Sequence, residues 1–165
     1  MSTALAWTAL ISALVTVFGA SLYLGFMTVA QFFLRPVFLG LRLDELSTVF
    51  AVPITAITRF LGIMFLPLLV APLIQIWLGR THVWTLVFSI AAAASYIFLA
   101  LWYALSMRPV NQQLLTGAVS EEPELRAKMH QWVSRNWARF HAALIYWAAA
   151  VGYLLAGHEL WEALP

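Results

Sequence analysis

Long apolar stretches alternate with short polar ones along this chain, and the apolar stretches outrun anything the core of a soluble domain would hold. A hydrocarbon layer about 30 Å thick asks for roughly 20 apolar residues of a helix. Four regions meet that length: Trp7–Leu34, Phe60–Leu78, Val83–Met107 and Phe140–Ala156. Helical periodicity carries the last region back towards Glu124, and the amphipathic stretch Asp44–Thr58 either extends the second or lies on the membrane surface. The predicted spans are 7–34, 50–78, 83–107 and 130–156, in a single transmembrane domain over residues 1–165. The connections are Arg35–Ser47, a tight turn at Gly79–Thr81, and a longer link Pro109–Pro123. Short connections between long helices predict an all-α fold, an up-down-up-down four-helix bundle.

Local signals refine these elements. The first span is longer than crossing requires and is expected to tilt or protrude. It lacks a basic leader, and Phe18 stands three before Ser21 where cleavage wants a small residue, so it reads as a retained helix. Ser47 is placed to cap the helix that follows, and Pro53 to bend it. In the second span Pro67 and Pro72 free the carbonyls of Ile63 and Leu68 and predict kinks. Lipid supplies no hydrophobic drive between helices, so close backbone approach at small residues must hold them together. Ser21 and Gly25, the run Ala91–Ser95, and Ala148, Gly152 and Ala156 are the candidates. No internal repeat or low-complexity tract stands out.

Composition agrees with the pattern: 63% apolar residues, 10% charged and a mean hydropathy of +0.87 describe an integral membrane protein. The net charge of +2 hides a polarity. Arg35, Arg42, Arg59, Arg108, Arg126, Lys128, Arg135 and Arg139 fall at one end of the spans, and Arg80 at the other. That asymmetry predicts cytoplasmic loops at 35–47 and 108–130, with both termini outside, as in a bacterial inner membrane. The basic rim suits lipid phosphates, and nothing in it suggests a nucleic-acid surface. With no cysteine, thiolate chemistry and Cys-ligated metal centres are excluded.

Helical phase sorts the polar head of the last span, because residues three, four and seven apart share a face. His130, Ser134, Trp137 and His141 form one stripe, continued by the small residues Ala148 and Gly152. Arg135 and Arg139 align nearly opposite, with Trp132, Tyr146 and Tyr153, a set suited to snorkelling and interfacial anchoring. The histidine stripe is therefore expected inside the bundle and the arginine stripe outside. Gln31 and Arg35 end the first span, Thr55 and Arg59 begin the second, and Ser89, Ala92, Tyr96, Leu99, Tyr103 and Ser106 line the third, leading to Asn111 and Gln112. These groups share one membrane depth. Polar groups that converge inside a membrane are a candidate site, here His141, Arg59, Asn111 and Gln31 with Tyr103, His130 and Trp137.

The chemistry available to them is limited. Asp44, Glu45, Glu121, Glu122 and Glu124 lie in loops and Glu159 and Glu162 at the opposite end, so neither paired-carboxylate catalysis nor an oxygen-rich metal cage is supported. His130 and His141 are three turns apart, about 16 Å, too far to share a metal ion. His82 and His158 fall at the outer ends, away from His141, which leaves haem a weak alternative. Imidazole, cations, amides and phenols around an aromatic hollow suit a phenolic or quinone-like ligand, whose acidic hydroxyl gives its proton to histidine and its charge to arginine or amide donors. The same inventory suits passive binding of a quinone or lipid.

Pro109, Asn111 and the Gln112-Gln113-Leu114 run after the third span, with Trp132, Asn136, Trp137, Arg139 and His141 at the start of the fourth, resemble the anthrone-oxygenase-like family of small four-helix membrane proteins. The resemblance implies oxidation of an anthrone-like substrate by dioxygen without metal or flavin, and carries Asn111, Trp137 and His141 over as site residues. Leu144 stands one turn after His141, where the resemblance leads to an arginine, so the positive charge would come from Arg139 or Arg59. Three classes of function follow: a cofactor-independent oxygenase with His141 as base, a binder of quinone, lipid or haem, and an accessory bundle or homo-oligomer that docks a membrane partner.

Overall fold

A computed structural model describes residues 2–157; His158, Glu159 and Glu162 lie outside the described residues. Four helical segments are long and apolar enough to cross a membrane: Thr3–Phe33, Leu43–Gly79, Val83–Leu115 and Glu122–Ala156. Their α-helical parts are α1 (Thr3–Thr28), α3 (Val52–Gly79), α4 (Val83–Trp102) and α6 (Glu122–Ala156), with short helices α2 (Arg35–Leu39) and α5 (Arg108–Leu115) at the basic end. Each long helix packs on its neighbours in sequence, and α6 closes the ring against α1. The result is the all-α four-helix bundle that the apolar pattern predicts.

The seams show why these sequences pair. The buried positions of α1 run Ala6, Ala9, Ala13, Thr16, Ala20, Tyr23, Met27, those of α4 Thr85, Ser89, Ala92, Tyr96, Leu99, and those of α6 Leu125, Met129, Trp132, Asn136, Arg139, Ala143, Tyr146, Ala150, Tyr153. Alternating steps of three and four are the repeat of a coiled-coil-like seam. At the far end the seams are made of small residues, so backbones approach closely. A Cβ at Gly152 would lie 2.6 Å from the Phe88 ring, and one at Gly19 would overlap the Leu68 side chain. Gln75, fully buried, donates to the Ser12 carbonyl at 2.9 Å and the Thr16 hydroxyl at 2.8 Å and ties α3 to α1. Ser21, Gly25 and Ala148, named from sequence as packing residues, lie exposed instead: Ser21 and Ala148 stand one position away from buried Ala20 and Ala149, and Gly25 falls midway between buried Tyr23 and Met27.

At the basic end the helices loosen. Three π-helical segments, Val29–Phe33, Leu46–Ala51 and Tyr103–Met107, each run up to within three residues of a proline, Pro36, Pro53 and Pro109. A proline lacks the N–H for the carbonyl four residues back and its ring crowds that carbonyl, which a wider turn relieves. The tripeptide Arg-Pro-Val recurs at 35–37 and 108–110, so spans one and three end on the same device. Residues 109–123, expected as a link, include α5, and residues 35–47 include α2. Ser47 does not cap: the helix starts earlier, at a 3₁₀ turn Leu43–Glu45, where the Glu45 side chain accepts from the Arg42 N–H at 3.2 Å. Glu122 accepts from the Leu43 N–H at 3.0 Å and joins the two basic-end connections.

Helix α3 divides at its prolines. Its buried residues are Leu68, Ala71, Pro72, Gln75 and Gly79; none lies between 52 and 67. The half beyond Pro67 packs tightly and the half before it stands off from α6, leaving a hollow in the basic half of the bundle.

Candidate ligand-binding site

The hollow is a cavity of about 350 Å³. Its walls follow from the seams. Toward the basic end the small residues of α1, α4 and α6 give way to Tyr23, Met27, Tyr96, Trp132, Asn136 and Arg139, which line the cavity. The facing stripe of α3, Ile54, Ile57, Thr58, Leu61, Gly62 and Phe65, completes it. Phe26 and Ala30 of the first span, and Ala100, Tyr103 and Asn111 of the third, fill the flanks. The lining is mostly apolar and aromatic with a few convergent polar groups, the usual make-up of a small-molecule site.

Arg139 is the charge in this wall. It is 6% exposed, and its guanidinium lies 5.8 Å from the Tyr23 ring centre and 5.6 Å from that of Tyr103. Both distances fall within reach of a cation–π attraction. Nη2 donates to the Tyr23 hydroxyl at 3.2 Å and Nη1 to the Asn136 side-chain oxygen at 3.5 Å, while Nε finds no hydrogen-bond acceptor. Asn136 in turn donates to the Gln31 side-chain oxygen at 3.3 Å, and Gln31 Nε2 is buried without a partner. Trp132 donates to the Asn111 side-chain oxygen at 2.9 Å and fixes that amide at the cavity wall. Every partner of Arg139 is thus neutral. Among the described residues the ion pair is Arg42 with Asp44, exposed and remote from the cavity. A desolvated cation held by neutral groups is costly unless a negative charge reaches it.

Sequence-predicted site residues divide. Asn111 and Tyr103 line the cavity, and Gln31 stands behind Asn136. His141, His130 and Arg59 do not join them; all three are exposed on the outside of the bundle. His141 Nδ1 lies 2.8 Å from the Trp137 carbonyl of its own helix. Trp137 is half-buried away from the cavity, its ring edge-on to Phe32 and Phe140 at 5.6 Å. The expected phase of the last span is therefore corrected: the arginine stripe turns inward and the histidine stripe outward. Small residues mark a tight seam, but a cavity needs a wall of large amphipathic side chains, and Trp132, Asn136 and Arg139 supply it. Arg135, expected to snorkel, is half-buried and donates to the Ser106 carbonyl at 2.6 Å.

Asn136, Trp132, Tyr23 and Tyr96 were not selected as site residues from sequence, and Arg139 was read mainly as an anchor. The signal that finds them is the unbroken three-four repeat through Leu125 to Tyr153, which carries Arg139 in register with Ala143 and Ala150. No group of three His, Asp or Glu close enough to hold a metal ion occurs among the described residues. No family model, curated protein or solved structure matches the chain.

Proposed function

We propose that the bundle is a membrane-embedded chamber for a hydrophobic small molecule bearing an acidic or anionic oxygen, such as a phenol, enol or quinol, with Arg139 as the group that holds that oxygen. The observation that carries this reading is a buried guanidinium on the wall of a 350 Å³ cavity with only neutral partners. A ligand anion completes the charge balance that the protein leaves open, and a fixed cation in a low-dielectric site favours the ionised form of a bound phenol. Aromatic rings on several sides suit a planar ligand. The basic end then faces the cytoplasm and both termini face outward, following the distribution of Lys and Arg.

The test compares 1-hydroxypyrene with pyrene, which differ by the oxygen alone, in protein reconstituted into nanodiscs. A hydrogen bond to a charged group is worth about 1.5–3 kcal/mol, so the hydroxylated probe should bind roughly 10- to 100-fold more tightly, and Arg139→Met should remove the difference. Equal affinities in the wild type would end this reading.

A catalytic reading rests on the same donors. An anthrone-like enolate held by Arg139 and Asn136 reacts with dioxygen directly: the methylene carbon becomes a carbonyl, taking one oxygen atom, and the other leaves as water with the two methylene hydrogens. In this version Arg139 stabilises the negative charge on the enolate oxygen, and the first methylene proton passes to water rather than to His141. Oxygen uptake with 1,8-dihydroxyanthrone tests it. Uptake should survive His141→Ala and fall at least about 100-fold in Arg139→Gln; loss in His141→Ala would restore the histidine, and no uptake by wild type would leave a binding protein.

A further inference from the structure

We infer that the chamber receives its ligand sideways from the bilayer, past the half of α3 that precedes Pro67, and so selects a lipid-dissolved amphiphile rather than a solute from water. This rests on the binding reading above and concerns the route and the class of ligand that the route admits.

The cavity is closed in the directions that lead to water. At the basic end Trp132, which lines it, is packed in a knot with Phe38 and Phe50, the three exposed by only 2%, 1% and 0%. Their ring centres stand 5.2 to 5.7 Å apart, each pair edge to face. Towards the far end Leu68, Ala92 and Tyr146 are packed and buried. On the α6 side Trp132, Asn136 and Arg139 are themselves buried.

The α3 side is different. None of its lining residues is buried, and Gly62 and Phe65 are exposed while also lining the cavity. Phe65 is 43% exposed, so one ring borders the hollow and the outside together. A Cβ at Gly62 would meet no atom within 4 Å. This wall belongs to a membrane span, and what surrounds it at that depth is lipid. The wall can also move. Pro67 leaves the Ile63 carbonyl without its helix hydrogen bond, and none of residues 52–67 is buried; the Tyr96 hydroxyl, donating to the Phe65 carbonyl at 3.2 Å, and the half-buried Ile54, Leu61 and Met64 hold this half to the bundle. An edge-on contact of Phe26 with Phe60, ring centres 5.9 Å apart, bridges α1 and α3 beside the opening. A molecule crossing there would bring its acidic oxygen to Arg139 on the opposite wall and keep its apolar body against α3.

The absence of cysteine makes the test direct. A bimane on Ala100→Cys, inside the cavity, should be quenched by brominated phospholipid in the nanodisc and not by aqueous iodide, as a bimane on Ile63→Cys should be and one on Ser120→Cys should not. Iodide quenching at Ala100→Cys without bromolipid quenching would overturn the lateral route. This readout needs no ligand, so it decides the route even if 1-hydroxypyrene fails to bind, an outcome that would count against the binding reading instead. In a second measurement Phe26→Cys and Phe60→Cys are joined by a bismaleimide whose spacer contains a disulfide that a reductant cleaves. Against the same double variant left unlinked, uptake of 1-hydroxypyrene preloaded in the lipid should slow at least about tenfold, and it should recover on cleavage. An unchanged rate would show that α3 does not gate the chamber.

Discussion

Arg139 carries a full positive charge into the bundle and meets two tyrosine rings, a phenolic oxygen and an amide, but no carboxylate. A buried charge carries a desolvation cost that an apolar side chain of similar volume avoids, and replacing whole buried ion pairs in this way is often neutral or stabilising by about 1–4 kcal/mol. Arg139→Met should therefore keep or raise the thermal unfolding temperature in detergent while abolishing the preference for the hydroxylated probe. A large loss of stability would instead mark the arginine as structural. His141 presents the opposite case. Its ring is exposed and bonded to its own helix, so His141→Ala should change stability by no more than about 0.5 kcal/mol and leave probe affinity unchanged. Polar residue types at one membrane depth are legible in the sequence, and of those named in that way Asn111 and Tyr103 line the cavity while Gln31 accepts from Asn136 behind its wall. His141 and Arg59 were selected by the same logic and lie outside, because depth does not say which side of a helix faces the protein.

Among the elements, α3 has the most to say about how shape follows from sequence. Pro67 and Pro72 were legible as interruptions, and burial changes where they fall. An interior proline costs a helix about 3 kcal/mol relative to alanine, so Pro67→Ala should raise the unfolding temperature. It should also let residues 52–67 follow the line of the packed half and narrow the cavity, weakening 1-hydroxypyrene binding; unchanged affinity would show that the proline does not shape the hollow. The tight half has its own test. Gly19→Ile would drive a side chain into Leu68, itself 2% exposed, and overpacking of this kind costs about 1–3 kcal/mol, or roughly 2–12 °C in unfolding temperature. The π-helical segments were not legible beforehand. Each needs a proline, which the sequence shows, and a packed neighbour that makes a widened turn better than a broken one, which it does not.

For the whole molecule, the proposed orientation rests on the distribution of Lys and Arg. With no native cysteine, Ser120→Cys should react with an impermeant maleimide only from the cytoplasmic side and Ser2→Cys only from the outer side; the reverse pattern would invert the assignment. The sequence by itself determined that this is a membrane protein of four long helices, because a run of some 20 apolar residues has no better place than a bilayer. It also determined which residues of a helix travel together, since 3.6 residues per turn leaves no choice. What it left open was which stripe of each helix turns inward. In water the apolar face must be the inner one, but in lipid both the interior and the surroundings are apolar, and hydrophobicity loses its power to tell them apart. Only the packing of all four helices decided that Arg139, Asn136 and Trp132 of α6 face the other three helices across a cavity while His141 faces out. Close fit of small residues at the far end fixes the rotation of every helix, and the same rotation aims the polar residues at the basic end.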